Sequence, residues 1–186
     1  MAIIAYLGST VNDYIEKSIK LLSELTIYCP EHNTVEMAAH GSYERGIKET
    51  GEKIRIYRFI CYECGATVAV LPDFLLPYKQ YSANEIEAVL IDAESTKVYD
   101  IETQASVYTV RRWIKEMGPL IIRWISMLKA LALEITGKAV SEISLFALAP
   151  IEQLRTLAEC LPKIKTCGNM LGFAAVYLSS HFHVFP

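Results

Sequence analysis

The sequence predicts an α+β protein: a small N-terminal β zinc ribbon, followed by an all-α half that contains a helix-turn-helix. Three observations carry this reading. Residues 54–60, Ile-Arg-Ile-Tyr-Arg-Phe-Ile, are β-branched and aromatic and begin in alternation. Residue types that ligate metals flank that region in two pairs, Cys29 with His32 and Cys61 with Cys64. After residue 82 the apolar residues recur at helical spacing and no alternating run remains.

Taken in order, residues 1–28 read as a short strand at Ile3–Leu7, a turn at Gly8 and a helix near Val11–Leu25. Ser9 or Thr10 can cap that helix, and Ile15, Ile19 and Leu22 form its apolar stripe. Residues 29–70 form the ribbon, with Gly51 at a hairpin turn. Residues 71–81 contain two prolines and read as a connector whose apolar residues pack against something. Residues 82–118 form the helix-turn-helix. Its first helix starts at a capping box, Ser82 to Glu85, and carries Ile86, Val89, Leu90 and Ala93 on one face. A second short helix is expected over roughly 96–104. A third runs from Ser106 to a stop at Gly118-Pro119. Residues 119–186 form an apolar segment of two to four helices, with Pro150 and Pro162 at breaks or first turns.

Composition sets limits on function. The chain is 52% hydrophobic and 21% charged, with a mean hydropathy of +0.25, so it has material for a real core. Its net charge of −3 gives no whole-chain case for nucleic-acid binding. The charge is unevenly placed, however. Residues 82–104 carry six acids and one lysine. Residues 105–129 carry Arg111, Arg112, Lys115, Arg123 and Lys129 against Glu116. A basic stretch can make a basic surface on an acidic chain, or simply face the acidic one. No secretory signal or membrane span is evident, so a cytoplasmic protein that does not enter the membrane is expected. In that compartment cysteines serve metals more often than disulfides.

The two pairs read as Cys29-Pro30-Glu31-His32-Asn33 and Cys61-Tyr62-Glu63-Cys64-Gly65. Each tight turn donates two ligands, so four soft or borderline donors can surround one zinc ion. The residue after each pair needs a positive φ, which Asn33 and Gly65 tolerate. With four protein ligands the site is closed, hence structural, and His40 is the alternative to His32 as fourth ligand. Cys160 and Cys167 lie seven apart and read as helix core, and His181-Phe182-His183 as a solvated tail.

In the third helix, Ser106 caps and Val110, Trp113, Ile114 and Met117 form the apolar stripe. The opposite face presents Tyr108, Thr109, Arg111, Arg112 and Lys115, which suits a major groove: Arg reads guanine or clamps phosphate, and Lys and Tyr reach phosphates. The bland alternative is an amphipathic helix with a wet basic face.

One resemblance bears on this choice. His40-Gly41-Ser42-Tyr43-Glu44-Arg45, Arg58, Cys61-x-x-Cys64-Gly65-x-Thr67 and Leu71-Pro72-x-Phe74-x-x-Pro77-Tyr78-x-x-Tyr81-Ser82 stand in order along the chain. Together they resemble a bacterial family catalogued as a domain of unknown function. Its members look like insertion-sequence-associated, transposase-like proteins with a zinc ribbon and a helix-turn-helix. Ser106-x-x-Thr109-Val110-Arg111-Arg112-Trp113 is similar to their recognition-helix region. The resemblance covers about residues 25–118 and implies binding of double-stranded DNA in connection with mobile elements. The family usually has cysteine where this chain has His32. Residues 119–186 lie outside the resemblance.

Catalysis is not expected, although part of a transposase stays open as an alternative. Two-metal transposition chemistry needs converging acids on a sheet. The four aspartates, Asp13, Asp73, Asp92 and Asp100, do not sit on strands of that kind. Two readings therefore compete. One is a zinc-stabilised DNA-binding accessory or regulator, in which the ribbon is held beside Arg111 and Arg112. The other is a zinc-stabilised adaptor that binds a protein partner. Leu120, Ile121, Trp124, Ile125, Leu128, Leu131 and Ile135 suit a buried helix, a homodimer or a partner interface through 119–186.

Overall fold

Four strands and five helices follow one another in the computed structural model, which describes residues 2–8, 10–137, 145, 147–164, 166 and 168–182. They are β1 (Ala2–Ala5), α1 (Val11–Ser23), β2 (Ala38–Gly46), β3 (Lys53–Ile60), β4 (Thr67–Pro72), α2 (Ala83–Asp92), α3 (Val107–Thr136), α4 (Pro150–Cys160) and α5 (Met170–Phe182). The architecture is α+β, with the sheet at the N-terminus and helices after it.

The sheet has the order β1-β4-β3-β2. β2 and β3 form an antiparallel hairpin whose tip includes Gly51 at φ 71°. β4 returns antiparallel to β3, and β1 runs parallel to β4 at the edge. Residues 2–5 therefore share a sheet with the strands of 29–70.

Helix α1 is capped by Thr10, whose hydroxyl accepts from the Asp13 amide at 3.1 Å. The expected Ile15-Ile19-Leu22 stripe needs correction. Tyr14, Ser18 and Leu22 face inward, while Ile15 is 58% and Ile19 is 69% exposed. Tyr14 decides the rotation. Its hydroxyl donates to the Arg55 carbonyl at 2.6 Å, and its ring meets Phe74 edge-on at 5.9 Å. Burial then drives its phenol pKa upward.

The connector packs as expected: Phe74, Leu75 and Leu76 are buried. It receives the tip of the β2–β3 hairpin. The Lys48 amide donates to the Gln80 carbonyl at 2.8 Å, and the Arg45 guanidinium donates to the Leu76 and Lys79 carbonyls. On its far side the connector meets α3, through Tyr81 against Trp113 and the ion pair of Lys79 with Glu116.

Both predicted caps form. The hydroxyls of Ser82 and Ser106 accept from the amides of Glu85 and Thr109 at 3.1 and 3.2 Å. Two helix expectations fail. Residues 96–104 are turns and irregular backbone, so no second helix intervenes between α2 and α3. Residues 97–100 tighten into a turn instead, closed by the Asp100 amide on the Lys97 carbonyl at 2.8 Å. Helix α3 also does not stop at Gly118-Pro119; it runs 30 residues with Pro119 inside and ends at Gly137 in the left-handed conformation. The proline break is overridden by the buried stripe on either side, Val110, Trp113 and Met117 before it and Ile121, Trp124 and Leu128 after it. Pro150 opens α4 and Pro162 lies just past its end, as expected. Cys160 is exposed rather than core. Cys167, His183 and the side chains of His181 and Phe182 lie outside the described residues.

Helix α5 closes the structure against β1, α2, α3 and α4. Gly172 lets it in: a Cβ there would collide with the Asp73 carbonyl and lie 2.8 Å from Asn169 Oδ1. Its first turn is capped from another helix. Buried Glu87 on α2 accepts from the Met170 and Leu171 amides at 2.6 and 2.9 Å. Desolvation raises the Glu87 pKa, and those two amides oppose the rise. Between its ordinary and its raised value the unfolded chain has released the proton while the fold retains it, so this group's contribution falls as pH rises through that window. Glu87→Gln keeps an acceptor and loses the titration. Its stability relative to the parent is expected to improve as pH rises from about 4 to about 7, measured by urea denaturation. Glu87→Ala is expected to cost about 1–3 kcal/mol throughout, because two buried donors lose their partner.

Candidate metal centre and basic helix face

The two knuckles are built alike. Cys29 opens one just after the bridge of Tyr28 with Glu36, and Cys61 opens the other at the end of β3. In each, the cysteine carbonyl accepts from the amide four residues on, Asn33 or Gly65, at 2.8 Å. Asn33 and Gly65 have φ of 46° and 73°, the left-handed backbone foreseen for both. The cysteine amides are tied down as well, to Val35 and Ala66 carbonyls at 2.8 and 2.9 Å.

This local geometry converges Cys29, His32, Cys61 and Cys64. Their ligand atoms lie within 4.8 Å of one another, and together they can hold one metal ion. Cys29 Sγ is 3.6 Å from Cys64 Sγ, and Cys61 Sγ is 3.6 Å from His32 Nδ1. Cys29 and Cys61 are fully buried, whereas Cys64 is exposed and His32 partly so. His40 stands exposed on β2, outside the cluster. The Cys64 amide, then the His32 imidazole, pull the Cys61 thiol down to about 6, toward the thiolate that binds metals. The same contact raises the His32 pKa.

The knuckles sit at one end of the β2–β3 hairpin and its tip at the other. Eight strand residues separate them, roughly 25 Å at the usual rise. The metal cluster is therefore not beside Arg111 and Arg112. The hairpin tip reaches the connector, and the connector reaches α3.

On α3, Tyr108, Arg111, Arg112 and Lys115 are exposed, and Tyr108 is 76% so. Thr109 is half-buried, and its hydroxyl lies 2.9 Å from that of Ser106 at the cap. Sequence reasoning missed two partners. Tyr99 lies under Arg111, with the guanidinium 5.0 Å from its ring centre and bonded to its hydroxyl. Tyr99 belongs to the stretch expected to be helical, which hid it. Glu116 pairs with Lys79 and lies 3.8 Å from Arg112, and the i,i+4 spacing to Arg112 was a readable signal.

Residues 29–113 match the family model described as a domain of unknown function, DUF6431. The match takes in both knuckles, the hairpin, the connector, α2 and the first turns of α3. No curated protein and no solved structure matches the chain. Among the described residues, no helix is long and apolar enough to cross a membrane.

Proposed function

We propose that this chain is a zinc-stabilised protein that binds double-stranded DNA through the N-terminal half of α3. The carrying observation is the exposed row Tyr108, Arg111, Arg112 and Lys115 on a helix whose other side is locked into the core. Tyr108, Arg111 and Lys115 are spaced i, i+3, i+7 and so share a face. Contact with the Tyr99 ring and hydroxyl restricts the Arg111 guanidinium, which lowers the ordering cost of a phosphate or guanine contact. Without a helix over 96–104, the reading rests on α3 as a single helix entering the groove.

Zinc is the metal favoured by three thiols and an imidazole. In a tetrahedral zinc site, bonds of about 2.3 Å to sulfur and about 2.0 Å to nitrogen set ligand–ligand edges of roughly 3.5–3.8 Å. The two 3.6 Å separations fall within that range. The ion's role is structural, and its effect on α3 runs through the hairpin. A place as an accessory or regulator of mobile elements is part of the proposal and rests on the family resemblance. Transposase genes or inverted repeats beside its gene are the expected finding.

The test is fluorescence anisotropy with duplex DNA across a salt series. Arg111→Ala with Lys115→Ala is expected to lower affinity at every sequence and reduce the slope of log K against log salt by about 2, with the melting temperature unchanged. If the parent ignores duplex DNA at about 50 mM salt, the DNA reading fails.

A second reading, a protein-binding adaptor, draws on Ile122 and Leu133, which are 62% and 50% exposed and lie on one side of α3. It predicts a stable complex that Ile122→Asp with Leu133→Asp abolishes while DNA binding persists.

A further inference from the structure

Past Pro119, helix α3 keeps an exposed face. Ile122 and Leu133 stand eleven residues apart, about three helical turns, so they lie on one line. Ser126 and Ala130 lie close to that line between them, and both are exposed. Arg123 and Glu134 repeat the same spacing along the adjoining edge. Both are exposed, and neither makes an ion pair or hydrogen bond with a described residue. The opposite side of the same stretch is buried through Ile121, Trp124, Leu128 and Leu131. The face is thus held rigid from behind and open in front.

The pattern on this face is its own complement. Ile122 with Leu133, Ser126 with Ala130 and Arg123 with Glu134 are pairs whose midpoints all fall within one residue of Leu128. A two-fold axis through that point, normal to the plane of two paired helices, runs a second α3 antiparallel to the first. Each Ile122 then meets the opposing Leu133, each Ser126 the opposing Ala130 and each Arg123 the opposing Glu134. Apolar meets apolar, small meets small and cation meets anion, and the axis makes every contact twice. Small side chains at the centre allow a close approach of the helix axes. A face shaped for an unrelated protein has no need to match itself under rotation.

We propose that this face binds a second copy of the chain, as an antiparallel homodimer that overlaps over residues 119–137. The inference rests on the second reading's claim that the face binds protein, and it names that protein. The overlap is roughly 28 Å long at the usual rise, which puts the interface among the small, weak ones. Residues 107–118 extend beyond the overlap, so Tyr108, Arg111, Arg112 and Lys115 stay open at both ends of the dimer.

The experiment is sedimentation velocity on the full, metal-replete chain, without DNA, from about 1 to about 300 µM. The parent is expected to pass from monomer to dimer, with half-dissociation at about 10–100 µM. Ile122→Asp is expected to stay monomeric throughout. Arg123→Glu and Glu134→Arg are each expected to weaken the dimer about tenfold. Both changes in one chain are expected to return it to within about threefold of the parent, because the reversed charges still meet across the axis. All three side chains are exposed, so the variants should melt with the parent at about 1 µM, where it is monomeric. A parent that stays monomeric at about 300 µM overturns the proposal. So does a dimer indifferent to Ile122→Asp, and so does a double reversal no tighter than either single one. A monomeric chain that still binds another protein through Ile122 and Leu133 overturns the homodimer and leaves the adaptor reading standing.

Discussion

Cys61→Ser is expected to release one equivalent of zinc per chain and to produce the largest loss of stability of any single change considered. Cys61 is fully buried, and its carbonyl and amide close the second knuckle. A structural zinc ion contributes on the order of 10 kcal/mol to a small domain. A bound ion would also hold Cys29 and His32, whose loop lies outside the named strands and is tied down by the Tyr28–Glu36 bridge and a few backbone hydrogen bonds. Losing one ligand leaves three donors converging without sufficient charge to hold them, so several kcal/mol should go. Elemental analysis and thermal melting read the result together. A chelator added to the parent should reproduce the melt of the variant. If the parent contains no metal and melts unchanged with chelator, the four residues are merely packed thiols and a histidine.

Trp113→Ala is the second large expectation, at about 3–5 kcal/mol. Trp113 is 1% exposed and meets Tyr81 edge-on, with ring centres 4.9 Å apart. It sits where the connector, carrying the hairpin tip, joins α3. For a chain of this size the loss corresponds to a fall of roughly 10 °C in melting temperature. Trp113→Phe should recover most of it, because the edge contact with Tyr81 survives. A loss below about 1 kcal/mol would mean that α3 is not locked to the sheet through this ring.

What could be read from sequence was local chemistry. The knuckles needed one ligand pair per turn and a left-handed residue after each, and both requirements appear as residue types. Ser82, Ser106, Pro150 and Gly51 likewise act within a few residues of themselves. What could not be read depends on distant partners. The facing of α1 was set by Tyr14 reaching Arg55 and Phe74, 41 and 60 positions away. Pro119 illustrates competing magnitudes. A proline inside a helix costs about 3 kcal/mol. Each large apolar side chain buried on the continuing helix returns about 1.5–3 kcal/mol, and Ile121, Trp124 and Leu128 are all buried beyond it. Tyr99 was missed because the stretch around it has few apolar residues to reveal a period. Its value lies in one contact with Arg111.

The pairing of β1 with α5 also constrains how the chain is made. Residues 2–5 are synthesised well before the helix that covers their side of the sheet, Met170–Phe182. At ordinary translation speeds about ten seconds or more separate the two. During that time the edge strand is bare, and its parallel partner β4 also has to be awaited. Contacts of such long sequence separation form slowly and leave strand edges open to other chains. Expression yield in this protein should therefore respond to temperature and chaperone supply more than its final stability suggests.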